Sequence, residues 1–322
     1  MTTMRRRYSW FSALGLLFSL AGCDYVAIHA APEKTAHSVE TPLSIQAQAA
    51  FWEALHTGRY DQLPEVRRLL TAAYLDNPRH PKVALLLAHA HLWTLAERAR
   101  LPELPPGITD HAILAEKYFT EASRLSPDDH RIPGWLGGVK LALGKIHQDE
   151  RLTREGYFML HDAIRAFPEF NDFSAGYVLS SRPKDDDKFR EGLDDLWDNL
   201  DRCAGERIDR ANPDYRKFMA QETTSGPKRV CWNSRIAPHN FEGFFLNMGD
   251  MLVKDGQPAL ASRIYAIATL SKSYESWPYR SLLETRLAQA GSLARQFQSA
   301  DPTQHPEIMF NSAHACTACH AQ

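Results

Sequence analysis

The chain has 322 residues, 44% of them hydrophobic and 24% charged, the proportions of an ordinary globular protein with material for one or two real cores. A formal net charge of −2 and a pI near 6.7, with no basic stripe, exclude an electrostatic footing for nucleic-acid binding. Beyond the N-terminal segment, no second stretch is long and apolar enough to span a bilayer.

The N-terminus carries Arg5, Arg6 and Arg7, then a short apolar run from Trp10 to Leu20, then Leu20-Ala21-Gly22-Cys23. An apolar core of about a dozen residues has the length of a secretory signal and falls short of the ~20 that a spanning helix needs. Leu-Ala-Gly-Cys resembles the bacterial lipobox. The resemblance implies a lipoprotein signal peptide over residues 1–22, removed on export, and Cys23 as the acylated first residue of the mature protein. An ordinary secretory signal with an incidental Cys is the plainer alternative. The implied destination is the cell envelope of a Gram-negative bacterium, lipid-anchored in the membrane and facing the periplasm. Asp24 resembles an inner-membrane retention signal of enteric bacteria and tilts the choice of membrane that way. Residues 23–43, with Pro32 and Pro42, read as a flexible tether.

The middle of the chain repeats. Val66, Leu70, Ala73 and Pro78 share one spacing with Ala115, Phe119, Ala122 and Pro127, and with Gly156, Leu160, Ala163 and Pro168. A last copy has Phe245, Met248, Gly249 and Leu252 on one helix, then Ala261, Tyr265 and Ala268 on the next. A small residue lets a paired helix come close, and the residues four and seven further on fill the same face. Pro ends the helix because it has no N–H for the carbonyl four residues back. This pattern resembles the tetratricopeptide repeat family, whose unit is two helices in about 34 residues. The expected fold is all-α: a tetratricopeptide-like helical-hairpin solenoid. Repeats cover 44–180, an interrupting segment 181–240, a last repeat and capping helix 241–300, and a short tail 301–322. The first helices fit less closely, with Ala88 and Gly137 at the small position. Trp52, Trp93, Trp135, Met248 and Met251 read as packing residues. His89 and His91, at i and i+2, point to different helix faces and make no metal pair. Gly134, Gly137 and Gly138 read as helix-packing positions.

Two segments break the repeat. Leu101 to Thr109 is Pro-rich and reads as an extended surface loop. Within 181–240, Arg182 to Lys188 reads as a solvated linker and Asp185, Asp186 and Asp187 as a charged turn. Phe189, Leu193, Leu196 and Leu200 keep a helical period, and Ala211 to Asn240 is polar. Cys203 and Cys231 remain once the lipid site and the tail are set aside. In an oxidising compartment they are expected to form a disulfide, with two free buried thiols as the alternative.

The last seven residues, Cys316-Thr317-Ala318-Cys319-His320-Ala321-Gln322, contain Cys-x-x-Cys-His, the attachment signature of a c-type haem. The spacing follows from the chemistry. Two thiols must reach two vinyl groups on one porphyrin edge, and the next residue must turn its imidazole onto the iron. Cys316 and Cys319 are then the thioether residues and His320 the proximal ligand of one covalent haem c. A redox or disulfide pair and half a zinc site are the alternatives; no second Cys-x-x-Cys completes the latter. Covalent haem is attached outside the cytoplasm, so the two ends of the chain agree. Only two residues follow His320, which departs from class I and class II cytochromes. A porphyrin is too large for residues 301–322 to bury alone, so it is expected to lie on the solenoid, at Tyr279 to Phe297. Met309 is the candidate distal ligand and His305 the next, while His314 is too near Cys316 to reach the opposite face. Met309 acting in packing alone, and a five-coordinate iron, stay open.

The function these features imply is a lipid-anchored periplasmic electron carrier or haem subunit, docked to a redox protein partner through the solenoid. The alternative is a periplasmic scaffold for an assembly partner, with a structural or sensory haem. A peroxidase-like enzyme comes third, because no distal acid–base constellation is visible; no catalytic residue is assigned.

Overall fold

The computed structural model describes residues 24–322. Cys23, and with it the anticipated lipid anchor and signal segment, lies outside the described residues. The chain divides into two units, one ending at Thr35 and the other running from Ala36 to Gln322. In the first, residues 24–29 are helical; every element below belongs to the second.

Among the described residues the fold is all-α, with one isolated bridge between Asn233 and Ala237. Ten helices pack as five adjacent pairs: α1 (Pro42–His56) with α2 (Leu63–Asp76), α3 (Pro81–Ala96) with α4 (Asp110–Leu125), and α5 (Arg131–His147) with α6 (Glu150–Ala166). Then come α7 (Pro168–Leu179) with α8 (Asp187–Ala204) and, after the single turn α9 (Arg229–Trp232), α10 (Glu242–Lys254) with α11 (Pro258–Ala268). Helix α12 (Arg280–Phe297) packs on both α10 and α11, and α13 (Thr317–His320) carries the tail motif. No helix among the described residues is long and apolar enough to cross a membrane.

Local sequence explains the boundaries. Pro stands in the first turn of α1, α2, α3, α7 and α11, where its fixed φ suits the helix and its missing N–H has no partner to lose. Thr41 and Ser44 close a reciprocal capping box on α1. Asp149 and Asp186 accept first-turn amides of α6 and α8. The repeated positions Leu70, Ala73, Ala115, Phe119 and Ala122 are fully enclosed on the second helices. Where α5 meets α6 the backbones nearly touch: a Cβ on Gly137 would stand 2.8 Å from the Gly156 oxygen, and one on Gly156 2.6 Å from the Gly137 oxygen.

Three boundaries differ from the sequence reading. The interruption expected over 181–240 begins later, because Asp187–Ala204 is a full helix paired with α7. Gly192 and Leu196 keep the repeat spacing, and a Cβ on Gly176 would stand 2.8 Å from the Gly192 oxygen. Asn199 takes the place of the third small residue, however, and Gly205 at φ 76° ends the helix where the other copies use Pro. That disguised the fourth pair. The segment after it, polar in composition, also buries apolar side chains. Ile208, Tyr215, Phe218 and Trp232 are buried in one core with α8 and α10. Cys203 and Cys231 are joined there, with Cα atoms 5.7 Å apart, and the Trp232 indole N–H donates to the Cys203 carbonyl at 3.2 Å. Finally, the tether expected over 23–43 is docked at its C-terminal end. His37 N–H donates to the Arg79 carbonyl at 2.8 Å, Asn77 Nδ2 donates to the His37 carbonyl at 2.8 Å, and Glu40 accepts from Gln48 Nε2 at 2.8 Å.

Two cores result. One lies among α1 to α5 around Phe51, Leu70, Leu87, Trp93 and Phe119. The other lies among α7, α8, the disulfide segment and α10 to α12, around Phe189, Trp232, Phe245 and Tyr265. Trp135 on α5 touches both.

Candidate functional site

A single turn such as α13 cannot hold itself in water. The tail runs back over the first helices of the pairs, and those helices hold it. Glu97, fully buried at the end of α3, accepts the Cys316 N–H at 2.7 Å, the Thr317 N–H at 2.8 Å and the Thr317 hydroxyl at 3.2 Å, all on Oε1. Its other oxygen pairs with Arg100 at 3.0 Å, and Arg100 also donates to the Gly58 carbonyl at 3.0 Å. Charge-assisted hydrogen bonds of this kind are about twice as strong as neutral ones, and here they fasten the two orphan amides at the start of α13. The Trp277 indole N–H donates to the Ala318 carbonyl at 2.8 Å, and the Tyr279 hydroxyl lies 2.6 Å from Thr317 Oγ1. Gln322 N–H donates to the carbonyl of His56, the last residue of α1, at 2.9 Å. On α10 a glycine makes the room: a Cβ at Gly243 would stand 2.6 Å from both the Ala318 oxygen and Cys319 Sγ.

Cys316 and Cys319 are free thiols, three residues apart and so on one helical face. Cys316 packs on the first core and Cys319 on the second, so the motif spans the seam between them. The Tyr177 hydroxyl of α7 lies 3.2 Å from Cys319 Sγ. Burial pushes the Cys319 thiol up to about 12. Burial also raises Cys316 well above its usual range, with the Glu97 charge adding to it. Redox-active dithiols and zinc ligands need accessible thiolates of low pKa. Among the described residues no three His, Cys, Asp or Glu side chains gather to hold a metal ion.

His320 is half-buried, and its Nδ1 is enclosed without a hydrogen-bond partner. Burial, followed by the nearby His56 and His89, pulls its pKa down to about 3. The ring is therefore neutral and keeps a lone pair to offer. Aromatic rings line this side of the seam. His89 and Trp135 have centroids 5.4 Å apart, Trp135 and Phe170 6.0 Å, and Phe170 and His239 5.2 Å. Two protonated thiols on one face, a neutral imidazole next to them and an aromatic lining suit a covalently attached haem c.

Comparison with protein-family models, with curated proteins and with solved structures finds no match.

The other tail residues divide. Met309 is fully enclosed, its Sδ 3.9 Å from the Tyr177 hydroxyl. His305 is turned to the Ser299 carbonyl at 2.9 Å and lies beside Phe297. His314 stacks on Tyr279 at 5.1 Å, and burial, then the charges of Arg286 and Arg100, lowers its pKa to about 4. Of Tyr279 to Phe297, the stretch expected to seat the haem, Tyr279 and Arg286 hydrogen-bond the tail peptide, while the motif itself rests on α3, α7 and α10. Glu97, Tyr177 and Gly243 escaped the sequence reading. A lone carboxylate at a helix end reads as solvated, and nothing local tells that a segment 219 residues later will fold onto it.

Proposed function

We propose that this chain is a lipid-anchored, periplasm-facing c-type haem protein that carries single electrons to or from a protein partner. Cys316 and Cys319 attach one haem c, His320 is its proximal ligand, and Cys23 anchors the chain to the membrane. The tetratricopeptide-like hairpins form the frame. One observation carries the reading: Glu97 and Trp277 bond the backbone of the Cys-x-x-Cys-His turn, Tyr279 meets the Thr317 hydroxyl and Gly243 leaves the turn room, with both thiols and the His320 ring half-buried on one seam. A bound haem would supply a one-electron couple. The chain's own part is to orient the imidazole, exclude water through the aromatic lining and hold the attachment turn rigid.

The same observation weighs against a scaffold. A solenoid that recruits peptides would use the faces of its first helices, and here the chain's own tail already takes the C-terminal ends of α1 and α3 and the first turn of α10. The test is mass spectrometry of protein exported together with haem-attachment machinery. The C-terminal peptide should carry the mass of one haem, and a peptide with two unmodified or mutually oxidised cysteines would refute the reading. In the same cells Cys23→Ser should move the protein from the membrane to the soluble periplasmic fraction.

A further inference from the structure

The haem reading leaves the face of the iron opposite His320 unassigned. Three imidazoles outside the tail lie near His320: His56, His89 and His239. Two of them are turned the wrong way. His56 commits Nε2 to the Arg235 carbonyl at 2.8 Å, so the nitrogen left with a lone pair is Nδ1, the one crowded by its own Cβ and backbone. His239 is 4% exposed and lies flat on Phe173, with centroids 3.9 Å apart and planes 11° apart, and its Nδ1 is sealed.

His89 differs. Its Nδ1 lies 2.9 Å from the Leu85 carbonyl, one turn back on α3. A carbonyl only accepts, so Nδ1 carries the hydrogen and Nε2 is left with the free lone pair. The ring is wedged edge-on between Phe119 at 4.9 Å and Trp135 at 5.4 Å, both at 77°, which sets its direction. This is the arrangement of a metal-ligating imidazole, with the second nitrogen tied to a carbonyl. His89 also sits eight residues before Glu97 on α3, about 12 Å along the axis from the group that grips the attachment turn. The side chain is half-buried, as are Cys316, Cys319, His320 and Trp135. Burial holds it neutral, with its pKa lowered to about 4 and the Arg131 charge helping. Met309, by contrast, is sealed in the second core.

Resting on the reading of the tail as a haem-c site, we propose that His89 Nε2 is the distal axial ligand, which makes the iron bis-histidine with His320. It gives α3 two roles on one rigid element: Glu97 positions the attachment turn and His89 closes the coordination sphere.

The experiment is the visible and magnetic circular dichroism spectrum of full-length protein matured with attachment machinery. The wild type should be low-spin in both oxidation states, with the near-infrared signature of two imidazoles, and should not bind carbon monoxide. His89→Ala should turn high-spin and bind carbon monoxide, and added imidazole should restore the low-spin spectrum. His89→Gln, which keeps much of the volume, should behave alike and so separates ligation from folding. Met309→Ala should leave the spectrum unchanged. A low-spin, unaltered spectrum in both His89 variants, or a high-spin Met309→Ala, would overturn the assignment while leaving the attached haem in place. Wild-type protein without covalent haem would remove the tail reading and this proposal together.

Discussion

The fold treats its two described cysteine pairs in opposite ways. Cys203 and Cys231 are 1% and 0% exposed, joined, and surrounded by Tyr215, Phe218 and Trp232. They close a 28-residue separation in a segment with one short helical turn, α9, and hold it to α8. Cys316 and Cys319 are three residues apart, unjoined and half-buried, and their turn is held by hydrogen bonds from other helices. Where a cross-link constrains the unfolded chain, geometry need only bring two thiols together. Where thiols must react with something else, the structure must hold them in place without letting them meet.

This contrast is sharpest if each pair is removed in turn. Cys316→Ser with Cys319→Ser should abolish covalent haem, read by haem staining of the exported protein, and leave the unfolding midpoint of the haem-free chain nearly unchanged. Cys203→Ser with Cys231→Ser should do the reverse. Attachment survives, while stability falls by about 3–4 kcal/mol on the chain-entropy estimate for a loop of this size, or a midpoint lower by roughly 10 °C. If both double variants lost haem, the disulfide segment would belong to the site.

Glu97 tests how the tail is held. Glu97→Ala strips the Cys316 and Thr317 amides of their acceptor, at a cost of about 1.5–3 kcal/mol for a bond to a charged group. Amide exchange over residues 312–322 should accelerate by one to two orders of magnitude while α10 and α11 stay protected; Glu97→Gln, which keeps an oxygen acceptor, should lose less. Uniform acceleration across the chain would mean that Glu97 supports the first core rather than the tail.

A pH-dependent effect lies between α7 and α8. Burial pushes Asp195 up to about 8, and Asp172, Glu191, Asp198 and Asp194 reinforce the shift. The fold therefore keeps a proton that the unfolded chain loses near the ordinary carboxylate value. Stability is greatest below that value and is lost as pH rises through it towards about 8. The unfolding midpoint of the wild type should drop between pH 5 and pH 8, and Asp195→Asn should flatten that slope. An unchanged slope would place the titration elsewhere.

How much of this was legible in the sequence depends on the range of the interaction. The ends of the second helices just before Pro78, Pro127 and Pro168, and the enclosed stripes such as Val66-Leu70-Ala73, follow from local sterics and a period of 3.6 residues. So does the Cys-x-x-Cys-His spacing, because one helical turn sets it. The fourth pair was hidden only because Asn199 and Gly205 replace the expected small residue and Pro. The seat of the tail was of another kind. Whether Glu97 points to water or to the Cys316 amide, whether Gly243 is a gap or a cradle, and whether His89 faces the same seam as His320 depend on segments tens to hundreds of residues apart. Local propensity carries no information about such contacts. The all-α pairing of helices and the Cys-x-x-Cys-His spacing of the last residues were legible in the sequence alone; where that motif sits, and which buried groups hold it, was decided only when the pairs stacked and the tail folded back across them.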